Sequence, residues 1–270
     1  MTKVLVAGAA GRMGKRISFM VQQHQALRLA GAFERKESPE VGQDIGVLGG
    51  FGVIGVTIAD SLESVIDQGD VIIDFTFHEA TMAMARKAAE HKKAMVIGTT
   101  GLSPENLAEL AELAAGNFPC VQAPNMAVGV NVLFKLAKKA ASILGDAYDI
   151  EIVEAHHRMK KDAPSGTALK LGEMVAEGVN RNLAEVGVYA RHGMIGERTD
   201  KEIGIQTVRA GDIVGEHTVY FAGAGERLEI THRAHSRDNF ARGAALAAAW
   251  VAGKPNGMYT MFDVLGLQDL

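Results

Sequence analysis

The feature that most limits the fold is Gly8-Ala9-Ala10-Gly11-Arg12-Met13-Gly14. It lies between the apolar run Lys3 to Ala7 and a segment with apolar residues at Met13, Ile17, Met20 and Val21. The run reads as a short strand and the spacing after it as a helix with one apolar face. A second apolar stretch, Leu27 to Phe33, ends at Glu34-Arg35, so an acid stands twenty residues beyond Gly14. Strand, glycine turn, helix, strand and acid in that order make the setting of a dinucleotide-binding unit. Ala10 occupies the place of the second glycine in the usual G-x-G-x-x-G.

Each residue of that loop has a physical task. Gly8 permits the tight turn, Gly11 lets backbone approach a pyrophosphate, and Gly14 allows the helix to pack closely. The helix start offers N–H groups and the positive end of its dipole. Ala9, Ala10 and Met13 complete the cradle, and Arg12 adds a charge. Glu34 is placed to accept hydrogen bonds from ribose hydroxyls, which favours NAD. Arg35 beside it can bind a 2′-phosphate, so use of both NADH and NADPH is expected.

Farther on, the chain alternates strand and helix patterns. A glycine-spaced stretch from Lys36 to Gly55 reads as a long loop. The apolar strand Asp70 to Phe75 precedes a helical stretch from Glu79 to His91. Ala94 to Ile97 then ends at Gly98-Thr99-Thr100-Gly101, before a helix that starts near Pro104. This alternation predicts an α/β domain, a Rossmann-type doubly wound parallel sheet with helices on both faces. Open sheets of this kind place ligands at the carboxyl ends of strands, so Gly98, Thr99 and Thr100 are expected beside the nicotinamide.

After Asn125 the rhythm changes. A long helix over Val128 to Leu144 leads to the strand Tyr148 to Ala155, and the stretches Ile203 to Ala210, Glu216 to Phe221 and Arg227 to His232 alternate apolar and polar residues. These predict a second, α+β domain on a mixed or antiparallel sheet, its polar face solvated or set against another subunit. The expected domains are residues 1–127 and 128–237, with the C-terminal helix in 238–270, densest over Asn239 to Val251, returning to the first. A length of 270 residues accommodates two cores, and a cleft between domains is expected to be available.

Composition narrows the function classes. Apolar residues are 47% and charged residues 22%, and no apolar run approaches the roughly 18–20 residues of a membrane span. A net charge of −4 argues against a phosphate-backbone binder. The single cysteine, Cys120, rules out an internal disulfide and a cysteine-cluster metal site, as suits a reducing compartment. Met1-Thr2-Lys3 runs at once into a strand, leaving no room for a signal peptide, so a cytoplasmic location is expected.

The stretch most informative about chemistry is Glu154 to Thr167, E-A-H-H-R-M-K-K-D-A-P-S-G-T. His156 and His157 follow an extended segment, so their side chains should diverge and no shared metal is expected. With Arg158, Lys160 and Lys161 nearby they suit a pocket for an anionic substrate, with a histidine able to pass a proton near neutral pH. Pro164-Ser165-Gly166-Thr167 opens a helical pattern. Ser165 or Thr167 can cap it, and its free N–H groups form a place for a carboxylate.

These motifs together resemble the 4-hydroxy-tetrahydrodipicolinate (dihydrodipicolinate) reductase family of lysine and diaminopimelate biosynthesis. The resemblance covers nearly the whole chain. It is carried by G-A-A-G-R-M-G at 8–14, Glu34-Arg35, V-I-G-T-T-G at 96–101, E-A-H-H-R-M-K-K-D-A-P-S-G-T-A at 154–168 and V-R-A-G-D-I-V-G-E-H at 208–217. It implies that His156 is the acid/base residue, Lys160 a second proton donor, and His157, Ser165, Gly166 and Thr167, with Thr100, the substrate binders. It also implies a further cofactor loop at Ala123, Pro124, Asn125 and Met126, a small dicarboxylate substrate, no metal, and a homotetramer. Phe77-His78 stands where the family commonly has a polar residue and proline, and Met126-Ala127 replaces a commoner phenylalanine-serine. A reductase of another small acid, or an NAD(P)H-sensing regulator, would share the first domain. The former would lack the cation and histidine cluster, and the latter requires a DNA-binding element that the chain does not show.

Overall fold

Both faces of strand β1 (Thr2–Ala7) are apolar, with Val4 and Val6 in one core and Leu5 and Ala7 in another. Such a strand is stable only between two covering layers. The computed structural model describes residues 1–270 and divides them into two units, Met1–Val128 with Arg237–Gly266, and Gly129–Ser236 with Leu267–Leu270.

In the first unit β1 is followed by α1 (Arg12–Gln23), β2 (Leu27–Phe33), α2 (Ile45–Gly49), β3 (Ile58–Ala59), β4 (Val71–Asp74), α3 (His78–His91), β5 (Ala94–Ile97), α4 (Pro104–Asn117) and β6 (Pro119–Gln122). The second unit carries α5 (Val128–Leu144), which spans the boundary, then β7 (Asp149–His156), α6 (Gly166–Gly178), α7 (Leu183–Val186), β8 (Gly187–Val188), β9 (Ile203–Arg209), β10 (Gly215–Gly223) and β11 (Glu226–Ala234). The chain then returns to the first unit as α8 (Asp238–Val251), β12 (Gly257–Tyr259) and α9 (Met261–Leu265).

The first sheet is parallel throughout, in the order β12-β6-β5-β4-β1-β2-β3. Helices α1 and α8 fill one face with Ile17, Met20, Val21 and the alanines 241, 244, 245, 247 and 248. Helices α3 and α4 fill the other with Met82, Ala85, Leu110 and Ala114. This is the doubly wound α/β class that the alternation predicts. Small residues let α8 lie close to its neighbours: a Cβ at Gly243 would come 1.8 Å from the Met126 carbonyl oxygen. Arg16 on α1 grips Asp238 at the head of α8 through two contacts of 2.6 Å. At this exposure the pair is worth at most about 1 kcal/mol, so burial of the alanine face does most to hold α8 in place.

Two expectations are corrected. The segment Lys36 to Gly55 is not wholly loop, because α2 forms within it. The Asp44 side chain accepts from the amides of Gly46, Val47, Ile54 and Gly55, giving a local anchor that the glycine spacing conceals. The C-terminal segment 238–270 is more than one helix: β12 adds an edge strand beside β6, and the last four residues belong to the second unit. The second sheet is mixed, as expected of a mixed or antiparallel sheet. Its order is β11-β10-β7-β9-β8, so β7 separates β9 from β10, and β9 and β8 run parallel. Ile152, Ile205 and Val219 form its apolar face, and that face is what brings these distant strands together.

Helix α6 packs on this apolar face, where a Cβ at Gly172 would touch the Ile205 Cδ1 at 2.8 Å. The opposite face carries paired polar groups. Thr218 and Thr231 share a hydrogen bond of 3.0 Å, Arg233 meets Glu216 at 3.2 Å, and Arg191 forks onto Glu151 at 2.7 and 2.9 Å.

Candidate active site

In the first unit the carboxyl ends of β1, β2, β4 and β5 bring Gly8, Glu34, Thr76 and Gly98 to one edge of the sheet. Gly8 has φ +59°, a left-handed conformation that favours glycine, and a Cβ there would meet Thr76 Cγ2 at 2.8 Å. A Cβ at Gly14 would lie 2.2 Å from the Gly8 carbonyl oxygen, so only glycine lets α1 approach the turn. Gly11 caps α1 with extended backbone and no side-chain cap. The amides of Arg12 and Met13 therefore open the helix without a capping side chain, as an anion-binding helix start requires. The Glu34 carboxylate accepts from the Ala10 amide at 3.0 Å and its own neighbour Arg35 at 3.3 Å, which ties the acid directly to the glycine loop.

Beside them lies a cavity of about 400 Å³ lined by Gly8, Phe33, Glu34, Arg35, Phe77 and Met84 among others. Its apolar walls and its cation–acid pair at the strand ends fit the adenosine half of a dinucleotide. Phe77, one of the departures from the family pattern, lines it with most of its surface exposed.

The Gly98-Thr99-Thr100 turn is supported from beneath. A Cβ at Gly98 would collide with the Phe75 ring at 2.3 Å. Thr99 is buried and donates to Asp74 at 3.2 Å, leaving Thr100 as the exposed hydroxyl. Asp74, wholly buried, also accepts from the Thr76 amide and hydroxyl at 2.9 and 2.6 Å and from the Thr81 hydroxyl. In the sequence Asp74 stands only as part of the apolar strand Asp70 to Phe75. The one sign of its role in the sequence is an ionisable residue within an otherwise apolar run. In the remaining loop Ala123 and Met126 are buried, Pro124 is exposed, and Asn125 accepts from the Ala127 amide at 2.9 Å.

The second unit assembles the histidine stretch around a carboxylate. Glu154, fully buried, lies on the inward face of β7 in register with Thr207 of β9 and His217 of β10. Its Oε1 accepts from the Ser165 amide at 2.9 Å and from Arg209 Nη2 at 2.8 Å. Its Oε2 accepts from Arg209 Nη1 at 2.8 Å and pairs with His156 Nδ1 at 2.6 Å. Burial works against this charge, but hydrogen bonds from His156, Arg209 and Ser165 prevail and hold the carboxyl well below the usual carboxylate range. His156 ends β7, its ring edge-on to His217 at 5.3 Å and its Nε2 beside Gly215, where a Cβ would come within 3.0 Å.

His217 is buried and its pKa is pushed down to about 3, first by burial and then by His156, so it is neutral at any working pH. Ser165 Oγ caps α6 by accepting from the Ala168 amide at 3.1 Å and lies 3.2 Å from His217 Nε2. Ser165 was expected among the substrate binders, but both its polar groups are engaged and it is buried. Exposed Gly166 and half-buried Thr167 present the open end of α6. The Lys160 ammonium contacts Asp162 at 3.0 Å, and its amide donates to the His157 carbonyl, closing the turn after β7. Glu154, Arg209 and His217 were not among the expected site residues. Only the parity of β7, which aligns Glu154 with Ile150 and Ile152, hinted at a buried acid.

The sequence comparisons decide the family. Residues 2–126 match the model for the dihydrodipicolinate reductase N-terminus and residues 129–265 the model for its C-terminus. The chain belongs to the dihydrodipicolinate reductase family. A dihydrodipicolinate reductase relative in Desulfotalea psychrophila, named 4-hydroxy-tetrahydrodipicolinate reductase, is 71% identical over 100% of both chains. Another of that name in Syntrophus aciditrophicus is 56% identical over 99% of this chain and 100% of its own. The solved structure of a dipicolinate-bound dihydrodipicolinate reductase from Paenisporosarcina sp. is 25% identical, with a TM-score of 0.75 over 97% of this chain and 98% of its own. An amine dehydrogenase from Mycobacterium smegmatis, at 15% identity and a TM-score of 0.59 over 96% and 95%, shares the fold alone. Membership makes this chain an oxidoreductase with a nucleotide-binding Rossmann domain. No helix is long and apolar enough to cross a membrane.

Proposed function

We propose that the chain reduces 4-hydroxy-tetrahydrodipicolinate to tetrahydrodipicolinate in lysine and diaminopimelate biosynthesis, with either NADH or NADPH as reductant. The observation that carries this reading is the grouping in one unit of an oriented imidazole at the end of β7, an ammonium at Lys160 and the open head of α6. That set matches a small ring bearing two carboxylates that must also receive a proton.

In the first unit the amides of Arg12 and Met13 hold the pyrophosphate, Glu34 the ribose hydroxyls and Arg35 a 2′-phosphate. Gly98 to Thr100 and Ala123 to Met126 border the nicotinamide. When bound, the reduced nicotinamide supplies the hydride. In the second unit Gly166 and Thr167 bind one carboxylate at the α6 N-terminus, and Lys160 with His157 attracts the other. The 4-hydroxyl leaves as water, which gives a conjugated imine; hydride addition to that imine leaves an electron-rich enamine, so a ring carbon must take a proton. His156 supplies it, and Lys160 stands as a second donor. The polar face of the second sheet is the surface through which copies assemble as a homotetramer, and the enzyme works in the cytoplasm.

The test couples the purified chain to a dihydrodipicolinate synthase reaction and follows NADH and NADPH oxidation. Synthase-dependent oxidation by both cofactors is expected, with kcat lowered about 10²- to 10⁴-fold in His156→Gln. Absence of oxidation would overturn the reaction, and a near-wild-type kcat in His156→Gln would remove the proposed acid.

A further inference from the structure

We infer that Glu154 is a positioning residue that fixes His156 in the Nδ1–H tautomer, so that Nε2 is the atom that gives up the proton, and that it ties this donor to the head of the substrate-binding helix. The inference rests on the reading of His156 as the proton donor. Three observations support it. Glu154 is fully buried, and its Oε2 lies 2.6 Å from His156 Nδ1. Ionised and held by the Arg209 fork, the carboxylate has no proton to donate, so the histidine nitrogen facing it must carry one. His156 Nε2, by contrast, lies beside Gly215, where any side chain would come within 3.0 Å of the nitrogen, so only glycine leaves room there for a second group.

The other oxygen of the same carboxylate accepts the Ser165 amide at 2.9 Å, one residue before the exposed start of α6. One rigid group therefore sets both the ring orientation of the donor and the placement of the helix end. His217, neutral and edge-on to the ring, excludes a competing charge from that side.

The step balances. The Nε2–H bond of the His156 imidazolium breaks as a C–H bond forms on the reduced ring. The imidazole is left neutral with its remaining proton on Nδ1, against Glu154. In Glu154→Gln an amide oxygen in the Oε1 place keeps the Ser165 amide and Arg209 Nη2, so the NH₂ takes the Oε2 place, where it faces Nδ1 and displaces Arg209 Nη1. The neutral ring must then hold its proton on Nε2, and loss of the Nε2 proton becomes unfavourable.

The experiment records long-range ¹H–¹⁵N spectra of the full-length enzyme labelled in histidine, at an alkaline pH above which the ring signals no longer change, so that the neutral ring is observed. The His156 signals are assigned by their loss in His156→Gln. Wild type is expected to show the Nδ1–H form and Glu154→Gln the Nε2–H form. Glu154→Gln is expected to lower kcat by about 10²-fold with KM changed less than about 3-fold, and to add nothing further in the His156→Gln background. An Nε2–H wild-type spectrum overturns the inference, even if Glu154→Gln does not fold. So do losses in the two variants that multiply, as for a purely structural role. If the tautomer changes as stated but His156→Gln keeps wild-type kcat, the positioning contact stands and the proton-donor reading fails.

Discussion

Buried neutral His217 makes the second unit sensitive to mild acid. The folded chain holds this ring at a pKa of about 3, whereas an exposed histidine titrates near 6.5. Between those values the unfolded chain binds a proton that the folded chain refuses, so stability is full above pH 6.5 and falls as pH drops toward 3. From pH 7 to pH 5 the single ring costs about 2 kcal/mol, one and a half pH units at roughly 1.36 kcal/mol each. The carboxylates contribute little over that window, because Glu154 is held charged far below it. His217→Gln retains a polar group facing Ser165 without a titrating proton. Urea unfolding of wild type and His217→Gln at pH 7 and pH 5 measures the difference, and any contribution from half-buried His232, whose pKa burial also lowers, cancels in the comparison. Wild type should lose about 2 kcal/mol more than the variant. Equal losses would show that His217 is not buried neutral and would refute the reasoning.

Arg35→Ala should lower kcat/KM for NADPH while sparing NADH, because only the former presents a 2′-phosphate, and equal losses for both would remove Arg35 from that role. Gly243→Ala places a methyl group 1.8 Å from the Met126 carbonyl oxygen, a backbone atom that cannot turn aside. The first unit should lose about 1–3 kcal/mol with a lowered Tm and weaker NADH binding, and an unchanged melting curve would show that α8 does not press on this loop. Planar pyridine-2,6-dicarboxylate should inhibit competitively with substrate and bind more tightly when NADH is present, and competition with NADH would place the dicarboxylate site elsewhere.

The local devices of this protein are legible in its sequence because they depend on neighbours a few residues apart. Gly8 to Gly14 must form a tight turn before a helix whatever surrounds them, since backbone crowding at Gly14 comes from Gly8 and Ala9. The periodicity of α1, α3 and α5, the acid after β2, and the cluster of His156, Lys160 and the α6 start follow from the same short range. What folding decides is which distant residues share a buried face. Glu154 meets Arg209 across β7 and β9, and His217 across β7 and β10. No local pattern orders those strands, because their sequence is set by burying Ile152, Ile205 and Val219 against α6. The same packing commits Ser165 to a cap, buries Asp74 under three threonine hydroxyls, and brings Gly243 onto Met126. A sequence states which groups are charged. Whether a charge such as Glu154 is buried, paired and aimed depends on the non-local burial that pairs it, and the tertiary structure alone supplies that.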